Sequence, residues 1–215
     1  MKINKDVLLF DLDGTLTDSA DGIINSIKHS RDVLGLGEPD CSYFVFVGPP
    51  LMESYTVHFG LSEERAREAV KVYRERYSAI GWKENSVYDG VEDMLKGLKA
   101  KGKTLLVATS KPEKFARQIL GYFNLDKYFD FIGGCDLEGK LATKADVINY
   151  VFDTINLKDK SRAIMIGDRY HDVYGAKDAG IDCIGVTYGY GDRAELEEAG
   201  AEYVFDTAEE VEKAF

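Results

Sequence analysis

Cysteine is scarce: three residues in 215, Cys41, Cys135 and Cys183, odd in number, far apart and without metal-ligand spacing. That excludes a disulfide-stapled secreted fold and a thiolate metal site, and it leaves free thiols in a reducing compartment as the expectation. Any basic cluster is absent too. The net charge is −11, and such a surface repels nucleic-acid backbones and anionic bilayers, so neither nucleic acid nor membrane is expected as a partner. No apolar stretch approaches the roughly 20 residues that a membrane helix needs. The apolar run near the N-terminus, Val7–Phe10, lies between Asp6 and Asp11 and is too short for a signal-peptide core. A cytoplasmic location is the expectation by default. Internal repeats and low-complexity segments are also missing.

What is present reads as an ordinary globular chain, 45% hydrophobic and 30% charged. Its length suits one core domain with a smaller one inserted. An acidic chain that handles an anionic substrate needs a metal or lysines at the site to offset its own field.

Along the chain, Val7–Phe10 reads as a buried strand that stops at Asp11, with Asp13-Gly14-Thr15 as a turn. From about Ser19 to Ser86 the pattern is helical: one helix near 21–34, the segment Tyr43–Val47, the loop Gly48-Pro49-Pro50, and a helix opened by Ser62 with Val70, Tyr73, Tyr77 and Ile80 at helical spacing. After Tyr88, helices and strands alternate, with strands expected at Thr104–Ala108, Phe129–Gly133, Ala163–Ile166, Cys183–Val186 and Tyr203–Phe205. Thr143 and Asp146 have capping-box spacing. Alternation of this kind predicts a doubly wound parallel α/β sheet of Rossmann-like type, covered on both faces, with a helical insertion. The expected division is 1–18 with 87–215 as the α/β core and 19–86 as the insert. In such sheets ligands bind outside the carboxyl ends of the strands, and three of these strands run into Asp11, Thr109 and Asp168.

Each cluster on its own has a bland reading beside a chemical one. Asp11 and Asp13 are either an acidic solvated turn or a pair in which one carboxylate attacks phosphorus and the other moves a proton. Thr109-Ser110 is either a helix cap or a donor pair for phosphate oxygens. Lys144 opens a helix, where a cation opposes the macrodipole, so it is either solvated or held by an anion. Asp168 and Asp172, four residues apart, would share a face on a helical turn. Gathered with Asp11 they would raise one another's pKa unless a cation neutralised them, and oxygen-only ligands favour a hard ion such as Mg²⁺. His171 reads as a group at the edge of a substrate site.

Taken together, Asp11-x-Asp13-x-Thr15, Thr109, Lys144 and Gly167-Asp168-x-x-x-Asp172 resemble the four motifs of the haloacid dehalogenase-like phosphatase superfamily, in order and over essentially the whole chain. The resemblance implies Asp11 as nucleophile, Asp13 as general acid/base, Thr109 and Ser110 as phosphate-binding, and Lys144 as a charge-offsetting group. It implies Mg²⁺ held by the carboxylates of Asp11 and Asp168 and the backbone carbonyl of Asp13, with Asp172 acting through water or through Lys144. The insert resembles the helical cap that closes over the site in that family, hinged near Ser19 and Ser86, with Gly48, Pro49, Lys111, Arg169 and His171 as candidates for substrate selection; Tyr55, His58 and Trp82 are further cap positions.

Within the superfamily the chain is similar to the phosphoglycolate phosphatase-like branch. More narrowly, Phe46–Leu51, Thr109–Pro112, Gly167–Asp172 and Tyr188-Gly189-Tyr190-Gly191 resemble a bacterial 5′-nucleotidase-like group. Many phosphoglycolate phosphatases carry Pro-x-Pro after the lysine, where this chain has Ala145-Asp146-Val147. A small phosphorylated metabolite is the implied substrate, and a monomer or weak homodimer the expected state. A sugar phosphomutase on the same fold and a receiver-like phosphoacceptor domain are the competing readings.

Overall fold

The structure, a computed structural model, describes residues 2–136, 141 and 143–215. The chain divides into two compact units, one formed by the residues up to Thr17 together with Val87–Phe215, the other by Asp18–Ser86.

The first unit is an α/β fold. Its strands are β1 (Val7–Phe10), β4 (Thr104–Pro112), β5 (Phe131–Cys135), β6 (Ala163–Gly167), β7 (Asp182–Val186) and β8 (Tyr203–Phe205), and the two-residue segments β2 (Thr17–Asp18) and β3 (Ser86–Val87) stand where the chain leaves and returns. The six longer strands form one sheet in the order β5-β4-β1-β6-β7-β8, and every described pairing in it is parallel. From β1 the chain builds outward through β4 to β5, then returns to the other side of β1 for β6, β7 and β8. The order therefore reverses at β1, and the crevice beyond the carboxyl ends of β1 and β6 is the switch point at which such sheets bind ligands.

The helices of this unit are α4 (Val91–Ala100), α5 (Glu113–Tyr122), α6 (Lys144–Thr154), α7 (Tyr170–Ala179), α8 (Arg193–Ala199) and α9 (Ala208–Ala214). Strand side chains alternate between faces, and Leu9, Leu106, Ala108, Met165 and Cys183 form one buried cluster with Val147, Ile148, Val151 and Phe152 of α6, Val173 and Ala176 of α7 and Leu196 of α8. Leu8, Leu105, Ile164 and Ile184, of opposite parity, are equally buried, and α4 and α5 pack against the sheet on that side while α9 packs against α4. Near-continuous apolar strands such as β1 and β6 are what burial on both faces demands.

Two boundaries differ from the sequence expectation. The strand expected at 129–133 runs Phe131–Cys135 because Asp126–Tyr128 forms a 3₁₀ turn first. β4 continues past Ala108 to Pro112 rather than yielding to a loop.

The second unit holds α1 (Ala20–Leu34), a 3₁₀ turn at Tyr43–Phe46, α2 (Leu51–His58) and α3 (Glu63–Ala79). Ser62 caps α3 by accepting from the Arg65 amide. Ile80 breaks the expected helical pattern: it lies past the end of α3 and is 51% exposed. Arg76 closes the unit's base with two hydrogen bonds to Glu84, at 2.8 and 3.0 Å.

Phe152 is 2% exposed within the α6–sheet cluster. Phe152→Ala is expected to cost about 3–5 kcal/mol through lost burial and the cavity left behind. An equilibrium urea titration of the two proteins checks it.

Candidate active site

β1 ends at Phe10, paired with Val107 on one side and Ile166 on the other. One residue on, the Asp11 amide donates to the Ile166 carbonyl at 2.9 Å, so Asp11 leaves the sheet edge beside Gly167-Asp168. The chain then turns tightly: the amides of Leu16 and Thr17 both donate to the Leu12 carbonyl at 2.9 Å. Gly14 has φ +89°, and a Cβ there would stand 2.1 Å from Asp168 Oδ2. Both the backbone conformation and the approach of Asp168 require glycine. Asp13, on this turn, pairs through Oδ2 with Lys111 Nζ at 2.8 Å. Its Oδ1 is buried and meets no hydrogen-bond donor among the described residues.

Lys144 opens α6, fixed by a full capping box in which Thr143 and Asp146 satisfy each other's backbone amides. The lysine is not solvated. It is 8% exposed, and its Nζ lies 2.8 Å from Asp11 Oδ1, 2.7 Å from Asp172 Oδ1 and 3.3 Å from the Ala108 carbonyl oxygen. The anions that hold it are these two carboxylates.

Asp168 is fully buried. Its Oδ1 accepts from Thr15 Oγ1 at 3.1 Å and its Oδ2 from the Tyr190 amide at 2.8 Å. The expectation that Asp168 and Asp172 share a helical face is corrected here: α7 starts only at Tyr170, and Asp172 is its third residue. What joins them is the turn itself, since Asp172 Oδ2 accepts from the Arg169 amide at 3.2 Å.

The remaining candidates distribute as follows. Thr109, 1% exposed, and Lys111, 9% exposed, are both buried, and the Lys111 amide donates to Thr109 Oγ1 at 3.2 Å. Ser110, between them, is exposed. Arg169 Nε lies 2.8 Å from Glu195 Oε1. His171 is half-buried with its ring against Tyr170. Gly48, with φ +105°, and Pro49 belong to the second unit and precede α2. Tyr55 is part of that unit's interior, fully buried and hydrogen-bonded to Ser30. Trp82 is 8% exposed, and the His58 ring packs edge-on against Phe46.

Roles for Thr15, Tyr190, Tyr188 and Glu195 were not legible from sequence. Thr15 and the tyrosines stood inside recognisable motifs, but nothing in the spacing pointed to Glu195, which acts across 25 residues on the Tyr170 amide at 2.9 Å.

Asp11, Asp168 and Asp172 each offer an oxygen within 4.8 Å of the others. Burial, then the charges of Asp172 and Asp11, push the Asp168 carboxyl well above its usual range. Burial likewise pushes Asp172 up to about 6, against the pull of Lys144. Burial alone would lower Lys144, but Asp11 and Asp172 outweigh it and hold its ammonium above the usual range. Carboxylates this close and this buried are the donor set that fits a hard divalent cation.

Two outcomes follow. The folded pKa of Asp172 lies above its unfolded value near 3.9, so this group's stabilisation is present below about pH 4 and is lost as pH rises through about 6. A divalent cation binds the ionised form and offsets that loss. Mg²⁺ is therefore expected to raise the melting temperature more at pH 7.5 than at pH 5, in scanning calorimetry against Na⁺ of equal ionic strength. Lys144→Met strands buried carboxylates and is expected to cost about 3–5 kcal/mol at pH 8. At pH 5, where Asp172 takes up a proton, the cost shrinks; urea titrations at both values measure the difference.

Similarity to known proteins agrees with this geometry. The family model described as haloacid dehalogenase-like hydrolase matches residues 8–186. A 5′-nucleotidase of Pseudomonas aeruginosa is 45% identical over 190 residues, covering 88% of this chain and 86% of that protein. The tyrosine-protein kinase PtkA of Mycobacterium tuberculosis is 42% identical over 86% of this chain and 63% of its own length. The crystal structure of a predicted phosphatase from Clostridium acetobutylicum superposes with a TM-score of 0.92 at 47% identity, covering 97% of both chains. With its four motif segments at one sheet edge, the chain belongs to the haloacid dehalogenase-like hydrolases, and within them it is a phosphatase.

Proposed function

We propose that the protein hydrolyses phosphate monoesters of small metabolites through a phosphoaspartate on Asp11, with 5′-nucleotides as the leading substrate class. The observation that carries this reading is the Lys144 ammonium bridging Asp11 and Asp172. It fixes the nucleophile's carboxylate by one oxygen and leaves the other to attack. The substrate class rests on the likeness to the pseudomonad 5′-nucleotidase and on the absence of Pro-x-Pro after Lys144.

In the first half-reaction an Asp11 oxygen forms a bond to phosphorus as the bond to the leaving oxygen breaks. Asp13 gives that oxygen its proton. In the second, Asp13 takes a proton from water, whose oxygen attacks the phosphoryl group and frees Asp11. Lys111, paired with Asp13 at 2.8 Å, orients the acid/base carboxyl. Thr109 Oγ1 is the donor proposed for a phosphoryl oxygen. Asp11, Asp13 and Asp168 would hold Mg²⁺, which supplies charge neutralisation so that an anionic nucleophile can approach an anionic ester. Asp18–Ser86, carrying Gly48 and Pro49, is proposed to select the leaving group.

Asp11→Asn is nearly isosteric and removes one negative charge from a crowded set. It is expected to reduce turnover of p-nitrophenyl phosphate and nucleoside monophosphates at least about 1000-fold while keeping the far-ultraviolet circular dichroism of the wild type. Near-wild-type release of phosphate from this variant would remove the mechanism. Retention of phosphate on the wild-type chain, or an isomeric sugar phosphate as sole product, would instead favour the receiver-like or mutase reading.

A further inference from the structure

The connection from β7 to α8, residues 187–192, and the first turn of α8 reach back toward the cation-binding residues at several independent points. The Tyr190 amide holds Asp168 Oδ2 at 2.8 Å. Tyr188 is half-buried with its ring near Tyr88, ring centroids 5.3 Å apart, and its hydroxyl donates to the Thr15 carbonyl at 3.1 Å. Thr15 Oγ1 in turn donates to Asp168 Oδ1. A Cβ on Gly189 would lie 2.1 Å from the Gly14 carbonyl oxygen and 2.5 Å from Asp168 Cβ, so this connection is in contact with the Asp13 turn and with Asp168 at once. On the other side of Asp168, Glu195 Oε1 accepts from the Tyr170 amide at 2.9 Å and from Arg169 Nε at 2.8 Å.

We infer that Tyr188 and Glu195 are positioning residues for the cation site. Tyr188 ties the turn carrying Asp13 to the far carboxylate through Thr15, and Glu195 locks the segment between Asp168 and Asp172. The inference rests on the reading above that Asp168 binds the divalent ion. Neither side chain touches substrate or cation. Each acts by fixing a carboxylate, and such outer partners of metal ligands commonly govern affinity as well as orientation. Arg169, a candidate for substrate selection from sequence, is on this view occupied with the same clamp.

The physical logic is pre-organisation. Asp168 is wholly buried, and its charge is costly without a partner. A carboxylate that keeps one orientation in the absence of the ion does not have to be ordered when the ion arrives. Two ties, one from the β7–α8 connection and one from the first turn of α8, supply that constraint.

The test uses the full chain. Tyr188→Phe keeps the ring and removes only the hydroxyl. Glu195→Gln keeps an acceptor for the Tyr170 amide but removes the charge facing Arg169, and Glu195→Ala removes both. Glu197→Gln, which loses the same charge on the same helix away from the site, is the control. Mg²⁺ affinity is read by isothermal titration calorimetry without substrate, and kcat, KM and the Mg²⁺ concentration for half-maximal rate are measured alongside.

The expectation is about 10-fold weaker Mg²⁺ binding for Tyr188→Phe and for Glu195→Ala. Glu195→Gln should fall between Glu195→Ala and wild type, Glu197→Gln should match wild type, and saturating Mg²⁺ should restore much of kcat. Wild-type Mg²⁺ affinity in both Tyr188→Phe and Glu195→Ala, with wild-type binding intact, overturns the positioning role alone. Affinity loss in the control equal to that in Glu195→Ala also overturns it, since the effect would then be general charge. A wild-type protein that takes up no divalent ion overturns the cation-site reading itself.

Discussion

Three carboxylates and one ammonium meeting in a dry crevice is the constraint on which the rest of this structure turns. Asp11, Asp168 and Asp172 bring oxygens within 4.8 Å of one another, and two of the three are essentially inaccessible to water. Burying like charges is costly unless something opposite sits among them. Lys144 supplies part of that, with its stem on α6 and its Nζ between Asp11 and Asp172. The capping box at Thr143 and Asp146 then has a function beyond helix stability. It sets the first turn of α6 so that a cation can stand at a helix N-terminus, a place the macrodipole disfavours.

The sheet explains why these groups can meet at all. Asp11 follows β1, Asp168 follows β6 and Thr109 belongs to β4, and these strands are neighbours in the order β4-β1-β6. Parallel pairing puts their carboxyl ends on one edge, so residues separated by up to 157 positions in sequence are brought side by side by register alone. The reversal of strand order at β1 parts the flanking helices at that edge and leaves room for a ligand.

Much of this was written in the chain. Apolar runs that stop at Asp11 and at Gly167-Asp168 gave both the strands and the polar ends, because a strand buried on two faces admits almost no polar residue until it leaves the sheet. The Thr143–Asp146 spacing gave the start of α6. What stayed hidden was pairing that no local period encodes. Lys111 reads as a substrate-facing candidate until the fold places it 2.8 Å from Asp13. Glu195 looks like any acidic residue in a helix's first turn until its carboxylate is found on the Tyr170 amide. Ser110 reads as a partner of Thr109 until β4, irregular in register from Thr109 to Pro112, leaves Thr109 buried and Ser110 exposed. Ile80 follows helical spacing yet lies outside the helix, since spacing marks a face and not a terminus.

The charge count closes the argument about substrate. Asp11, Asp13, Asp168 and Asp172 carry up to four negative charges, and Lys111 and Lys144 return two positive ones. Left so, the site is anionic inside a chain of net charge −11, and the pKa values of Asp168 and Asp172 are raised because burial and like charge both favour the protonated forms. On the proposed reading a divalent cation would make up the deficit of two and favour the ionised carboxylates, with Lys144 still paired to Asp11 and Asp172 and Lys111 to Asp13. On the proposed reading, cation and phosphate affinity are thus linked through the same carboxylates. A phosphate ester would then meet a more accepting site with the cation bound than without it.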